Sequence, residues 1–71
     1  MQEKDIMKIT LDVGMTADMA QKFVKFMAIR FPNETDTGYT KEWAMRFMNG
    51  WQFAMGDSET QAVLKEVFMV R

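Results

Sequence analysis

The side chains that could do chemistry in this chain are carboxylates, because the sequence contains no histidine and no cysteine. That composition removes the commonest general base, the commonest nitrogen ligand of metals and the thiolate nucleophile. Asp57 and Glu59 lie close together, but acids at the start of a helix are far more often caps than a catalytic pair. We therefore expect no enzymatic activity and no cofactor.

A second group of oxygen-bearing residues follows the ligand spacing of an EF-hand calcium loop. It consists of Asn33, Thr35 and Thr37, with Gly38 in the sixth position. The twelfth position requires a bidentate glutamate and is Ala44 here, and the threonines carry no charge. The pattern therefore indicates an ordinary polar loop and no metal site.

Length and charge narrow the class of protein further. The 71 residues allow one domain, 1–71, whose core is small enough for oligomerisation to be an expected supplement. A net charge of −1 gives no overall attraction to nucleic acid or to an anionic membrane. No apolar run approaches the length of a membrane span, and the N-terminus lacks the features of a signal peptide. We expect a cytoplasmic protein without membrane contact.

The densest apolar pattern lies in residues 40–55, which contain both tryptophans. Trp43, Phe47 and Trp51 follow at i, i+4 and i+8, so on a helix they form one row facing the core. Thr40 is placed to cap this helix. The segment predicts the central helix around which the rest of the chain packs.

Gly50 allows two ends for that helix. In one, the helix stops at Asn49 and Gly50 takes the left-handed conformation; in the other, the helix continues to Met55. Because the apolar pattern stays in phase past Gly50, the sequence favours the longer helix.

The N-terminal segment alternates between apolar and polar residues. After a frayed stretch at 1–5, the pattern over 6–13 predicts a half-buried β-strand. Its apolar side would carry Met7, Ile9, Leu11 and Val13.

Two more helices are predicted on either side of the central one. The spacing of apolar residues predicts a helix over 16–31, capped by Thr16 and ended by Pro32. A last helix over 58–70 begins at Asp57 or Ser58 as N-cap. The β-branched tail, residues 67–71, leaves a short terminal strand as an alternative.

These elements predict a helix-rich α+β fold, in which an N-terminal strand precedes three helices around an aromatic and methionine core. A lone strand has unpaired backbone groups along both edges and is not a stable unit. We therefore expect a homodimer in which two copies pair their strands antiparallel across a two-fold axis.

The order of strand, helix, polar loop and helix over residues 6–55 resembles the outline of ribbon-helix-helix transcription factors. The resemblance implies a dimeric DNA-binding repressor whose paired strands read the major groove. Its nucleic-acid contacts would be Lys8, Thr10, Lys22 and Lys25.

Three apolar residues fall on the polar sides of the predicted helices: Ile29, Met45 and Phe53. Together with nine methionines, whose flexible thioethers suit adaptable surfaces, they form the candidate partner-binding residues. The sequence favours a small non-enzymatic regulatory protein that acts by protein–protein contact, and the DNA-binding repressor is the alternative.

Overall fold

The computed structural model describes residues 1–50 and 57–69, and these residues form four α-helices. The described part of the chain contains no β-strand, so the predicted α+β fold is wrong and the fold is all-helical. The helices are α1 (Glu3–Asp12), α2 (Ala17–Arg30), α3 (Thr37–Asn49) and α4 (Ser58–Met69).

Helix α1 replaces the predicted N-terminal strand. Ile6, Ile9 and Val13 stand at i, i+3 and i+7, and the helix turns them towards the core. Leu11, which the strand would have buried beside Ile9, is 73% exposed. The segment satisfies both periodicities, and the helix prevails because it pairs its backbone groups internally, whereas a single strand needs a neighbour. The predicted pairing of strands between two copies is therefore also wrong, whereas a homodimer as such stays a prediction.

Helix α2 confirms the prediction for this segment to within one residue at each end. The Thr16 hydroxyl accepts a hydrogen bond from the Met19 backbone N–H at 3.3 Å and caps the helix. At the other end Pro32 prevents continuation, and Phe31 leaves the helical conformation with φ −131° and ψ 59°.

Helix α3 is displaced from the predicted 40–55. It begins at Thr37 because the Asp36 carboxylate caps it, accepting from the Tyr39 backbone N–H at 3.1 Å. It ends at Asn49, and Gly50 has φ 76°, a left-handed conformation that glycine adopts without strain. The shorter alternative is therefore correct. Residues 51–56, including Trp51, Phe53 and Met55, lie outside the described part of the chain.

Helix α4 begins with Asp57 as its N-cap, one of the two predicted alternatives. The Asp57 carboxylate accepts a hydrogen bond from the Thr60 backbone N–H at 2.9 Å. The helix continues to Met69, so residues 67–69 do not form the alternative strand, and residues 70–71 lie outside the description.

The core lies between α2 and the three other helices, each of which packs against it. Phe47 of α3 is fully buried, with its ring centroid 5.0 Å from Phe23 and 5.1 Å from Phe26. The predicted burial of Trp43 and Phe47 is confirmed. None of the described helices is both long and apolar enough to cross a bilayer.

Candidate protein-interaction surface

Phe31, the residue at the end of α2, is the centre of an aromatic cluster that reaches the protein surface. Its ring contacts Tyr39 edge-to-face at 5.5 Å and lies 5.9 Å from Trp43, both on α3. Phe26 approaches it from the core at 5.8 Å. Because Pro32 turns the chain at this point, the end of α2 and the first turns of α3 share one set of ring contacts.

Two arginines lie on the faces of these rings. The guanidinium carbon of Arg30 is 4.5 Å from the centroid of Phe31, and that of Arg46 is 4.9 Å from the ring of Trp43. Both distances are within the range of cation–π attraction. We call the continuous set of Arg30, Phe31, Tyr39, Trp43 and Arg46 the aromatic–arginine surface.

Arg30 also connects this surface to the start of α4. Its Nε donates to the Thr60 hydroxyl at 2.9 Å, and one terminal nitrogen donates to Asp57 at 3.4 Å. The other terminal nitrogen is 4.0 Å from Glu59. A planar guanidinium held by three groups and a ring has little freedom to move, so Arg30 positions the beginning of α4 beside Phe31.

Carboxylates surround the aromatic–arginine surface. Asp36 caps the helix that carries Tyr39, and Glu34 accepts a hydrogen bond from the Asp36 backbone N–H at 3.1 Å. Glu42 pairs with Arg46 at 3.2 Å. We call the five acids around the surface the acidic rim: Glu34, Asp36, Glu42, Asp57 and Glu59.

Asp57 differs from an ordinary surface acid in its pKa. The backbone N–H of Thr60, followed by the Thr60 side chain and the charge of Arg30, holds the pKa of this carboxyl below its ordinary value of 3.8. Hydrogen bonds to the ionised form have this effect. Asp57 therefore stays charged, and keeps its place in the acidic rim, at any neutral pH.

The arginines are more shielded from solvent than the acids. The side chains of Arg30 and Arg46 are 21% and 20% exposed, whereas those of Glu42, Asp57 and Glu59 are 60–73% exposed. Tyr39 is 37% exposed. An approaching molecule therefore meets an aromatic ring and carboxylates, with the guanidinium groups held beneath.

Ile29 and Met45, the predicted partner-binding residues that the structure describes, make none of the ring or cation contacts of this cluster. Ile29 is exposed on α2, and Met45 is exposed on α3. On the helical wheel Met45 lies about 160° from both Trp43 and Phe47, so it projects from the opposite side of α3. Phe53 falls outside the described residues, and a binding role for the three stays a prediction.

The residues predicted to contact DNA lie on helices α1 and α2, and one of them is buried. Thr10 is buried and its hydroxyl donates to the Met7 carbonyl at 2.7 Å, an arrangement that excludes a groove-facing contact. Lys22 pairs with Asp18 at 2.8 Å. Lys8 and Lys25 are exposed on α1 and α2. The ribbon that would have assembled these contacts does not exist, because α1 takes its place.

Another groove, of about 240 Å³, lies between the α1–α2 turn and α3. Met15, Met19 and Met48 form part of its lining. Over residues 1–50 and 57–69 no group of three or more potential ligands is arranged to hold a metal ion. The segment that resembled a calcium loop forms the turn before α3 and the first turns of that helix.

The aromatic–arginine surface was not predicted from the sequence, although one of its contacts follows from a local spacing. Trp43 and Arg46 stand at i and i+3, so a helix brings them together. Tyr39 is the one tyrosine of the chain and directly precedes the predicted start of the central helix at 40. The contacts of Phe31 with Tyr39 and of Arg30 with Thr60 depend on how the chain turns between helices, which no local pattern encodes.

Comparison with known proteins yields no relative: no family model matches the chain, and no curated protein or solved structure matches it.

Proposed function

We propose that this is a small intracellular protein without enzymatic activity, which acts by binding another protein through the aromatic–arginine surface. The observation that supports the proposal is the position of Phe31. Its ring joins the exposed Tyr39 to Arg30 and to the buried Trp43, at the junction of three helices.

The residue types of this surface are those that dominate binding energy at protein interfaces. Tyrosine and arginine are among the types enriched at interface positions whose truncation costs more than about 2 kcal/mol. Trp43 is buried and supports these residues from the core side. Tyr39 offers a large contact area with two side-chain torsions to fix. Its edge-to-face contact with Phe31 orients the ring before any partner arrives, which lowers the entropy lost on binding.

The surface is also built on rigid elements. Arg30 and Arg46 are held by ring contacts and carboxylates, and Asp36 fixes the start of the helix that carries Tyr39. A binding site held by helix ends and internal hydrogen bonds is more precise than one on a free loop.

The test is affinity capture from an extract of the source cells with wild-type protein and two matched variants. Tyr39→Ala removes the exposed ring, whereas Leu11→Ala removes a more exposed apolar side chain from α1. Tyr39→Phe keeps the ring and serves as the conservative control. Thermal melts of all variants establish that each is folded.

We expect a stoichiometric partner to be lost with Tyr39→Ala and retained with Leu11→Ala and Tyr39→Phe. Retention of that partner by folded Tyr39→Ala, or its loss with Leu11→Ala alone, would show that another surface binds. In either case the proposed function of the aromatic–arginine surface is wrong.

A further inference from the structure

We propose that the segment docking on the aromatic–arginine surface is basic, so that lysine or arginine side chains of the partner protein meet Tyr39 and the acidic rim. This inference rests on the proposed function and specifies the partner's chemistry. It follows from the distribution of charge and exposure around the surface.

Acidic groups outnumber basic groups around the aromatic–arginine surface. Five carboxylates form the acidic rim. The cationic groups in contact with the surface are Arg30, Arg46 and the amine of Met1, which donates to the Glu34 carbonyl at 2.8 Å, and Lys41 is exposed next to Glu42 on α3. The surface therefore has a net negative charge. Opposite charge on a partner speeds association and sets its orientation.

The carboxylates of the acidic rim are more accessible to a partner than the two arginines are. Each nitrogen group of the Arg30 guanidinium already faces Thr60, Asp57 or Glu59, and Arg46 pairs with Glu42. The side chains of Glu42, Asp57 and Glu59 are about three times as exposed as those of the two arginines. An acidic partner would meet these carboxylates before reaching either guanidinium, so the arrangement disfavours it.

The exposed ring of Tyr39 is also suited to contact a cation. An aromatic face attracts a cation placed within about 6 Å of its centroid, most strongly where water is displaced. Tyr39 is exposed and lies one helical turn from the Asp36 carboxylate that caps α3. A lysine or arginine side chain over this ring can form a cation–π contact and an ion pair together.

The experiment is an NMR titration of the ¹⁵N-labelled protein with two short peptides. One alternates arginine with serine, and the other has glutamate in place of each arginine. The titration is repeated as sodium chloride rises from about 0.01 M to about 1 M, which shortens the Debye length from about 30 Å to about 3 Å.

The matched variants change charge without removing a helix cap. Glu42→Gln combined with Glu59→Gln removes two acids of the rim. Asp18→Asn makes a change of the same sign at the other end of α2, about 18 Å from Arg30 along the helix axis. Sedimentation of the unliganded protein shows whether a second copy occupies the surface.

We expect the arginine peptide to shift the amide signals around Tyr39 and Phe31, with affinity that falls as salt rises. The double variant should weaken this binding about 3–10-fold, and Asp18→Asn should leave it unchanged. Equal or tighter binding of the glutamate peptide, no binding of the arginine peptide, or shifts confined to another surface would overturn the proposal. Self-association that shifts the same amides would overturn it as well, because a second copy would then be the occupant.

The two proposals fail in different ways. If folded Tyr39→Ala loses its cellular partner but the arginine peptide does not bind, the surface is an interface and only its preference for basic segments is wrong. If Tyr39→Ala keeps the partner, the proposed function fails whatever the peptides do.

Discussion

A hydrogen bond of 2.9 Å joins Arg30 to Thr60, from the guanidinium Nε to the threonine hydroxyl. The two residues are 30 positions apart in sequence and lie on α2 and α4. Thr60 is buried, and its backbone N–H donates to Asp57 at the same helix end. The pair therefore fastens the start of α4 to the end of α2, where Phe31 and the aromatic–arginine surface begin.

Thr60→Val should destabilise the protein by about 1–3 kcal/mol, because it leaves the Arg30 Nε–H without its buried acceptor while preserving the shape of the side chain. Thr60→Ser keeps the hydroxyl and is the control, for which we expect a smaller loss. The measurement is urea unfolding followed by circular dichroism. Identical midpoints for Thr60→Val and wild type would show that this bond does not hold α4 in place.

Acid should weaken the attachment of α4 through Asp57. The folded-state pKa of this carboxyl is lowered, chiefly by the Thr60 backbone N–H, so its contribution to stability is present above about pH 3.8. That contribution is lost as the pH falls through the lower, folded-state value. We expect the stability difference between wild type and Asp57→Asn to shrink as the pH falls below 3.8. A difference that stays constant with pH would mean that Asp57 makes no such bond.

Two neighbouring positions on α1 distinguish the helix from the strand that the sequence favoured. Ile9→Ala should cost about 2–5 kcal/mol, because Ile9 is buried in the core. Leu11→Lys should change the free energy of unfolding by less than about 0.5 kcal/mol, because Leu11 faces solvent. In a strand both residues would lie on the same buried side, so similar large losses at both positions would contradict the helix.

Phe47→Ala should destabilise the protein by about 3–5 kcal/mol, enough to unfold much of a domain this small. Phe47 is fully buried and contacts rings on α2 and, through Phe68 at 5.4 Å, on α4. Met45→Ala, on the exposed side of the same helix, is the matched control and should have little effect. Coincident thermal melts of Phe47→Ala and wild type would contradict the burial of Phe47 in the core.

The parts of the fold that sequence reasoning predicted correctly are those with local signals. Thr16 and Pro32 mark the two ends of α2, and Trp43 and Phe47 keep a helical spacing, so both helices could be recognised. The start of α3 was missed because Asp36 and Thr40 are both possible caps, and Thr40 is instead buried with its hydroxyl donating to the Asp36 carbonyl at 2.9 Å.

The N-terminal helix could not be predicted in the same way. Ile6 and Ile9 fit a helix, Ile9 and Leu11 fit a strand, and the decision rests on which packing buries more apolar area without unpaired backbone groups. The aromatic–arginine surface could not be predicted from the sequence for a related reason. Contacts such as Arg30 to Thr60 join residues far apart in sequence, and they exist only once α2, α3 and α4 have packed.

The most direct test of the account is site-specific photo-crosslinking in the source cells, with p-benzoylphenylalanine placed at Tyr39 in one variant and at Leu11 in another. Both positions are exposed and on different helices. The account predicts a crosslinked protein partner from position 39 and none from position 11. A partner captured from position 11 and not from position 39 would contradict the claim that the aromatic–arginine surface is where this protein binds.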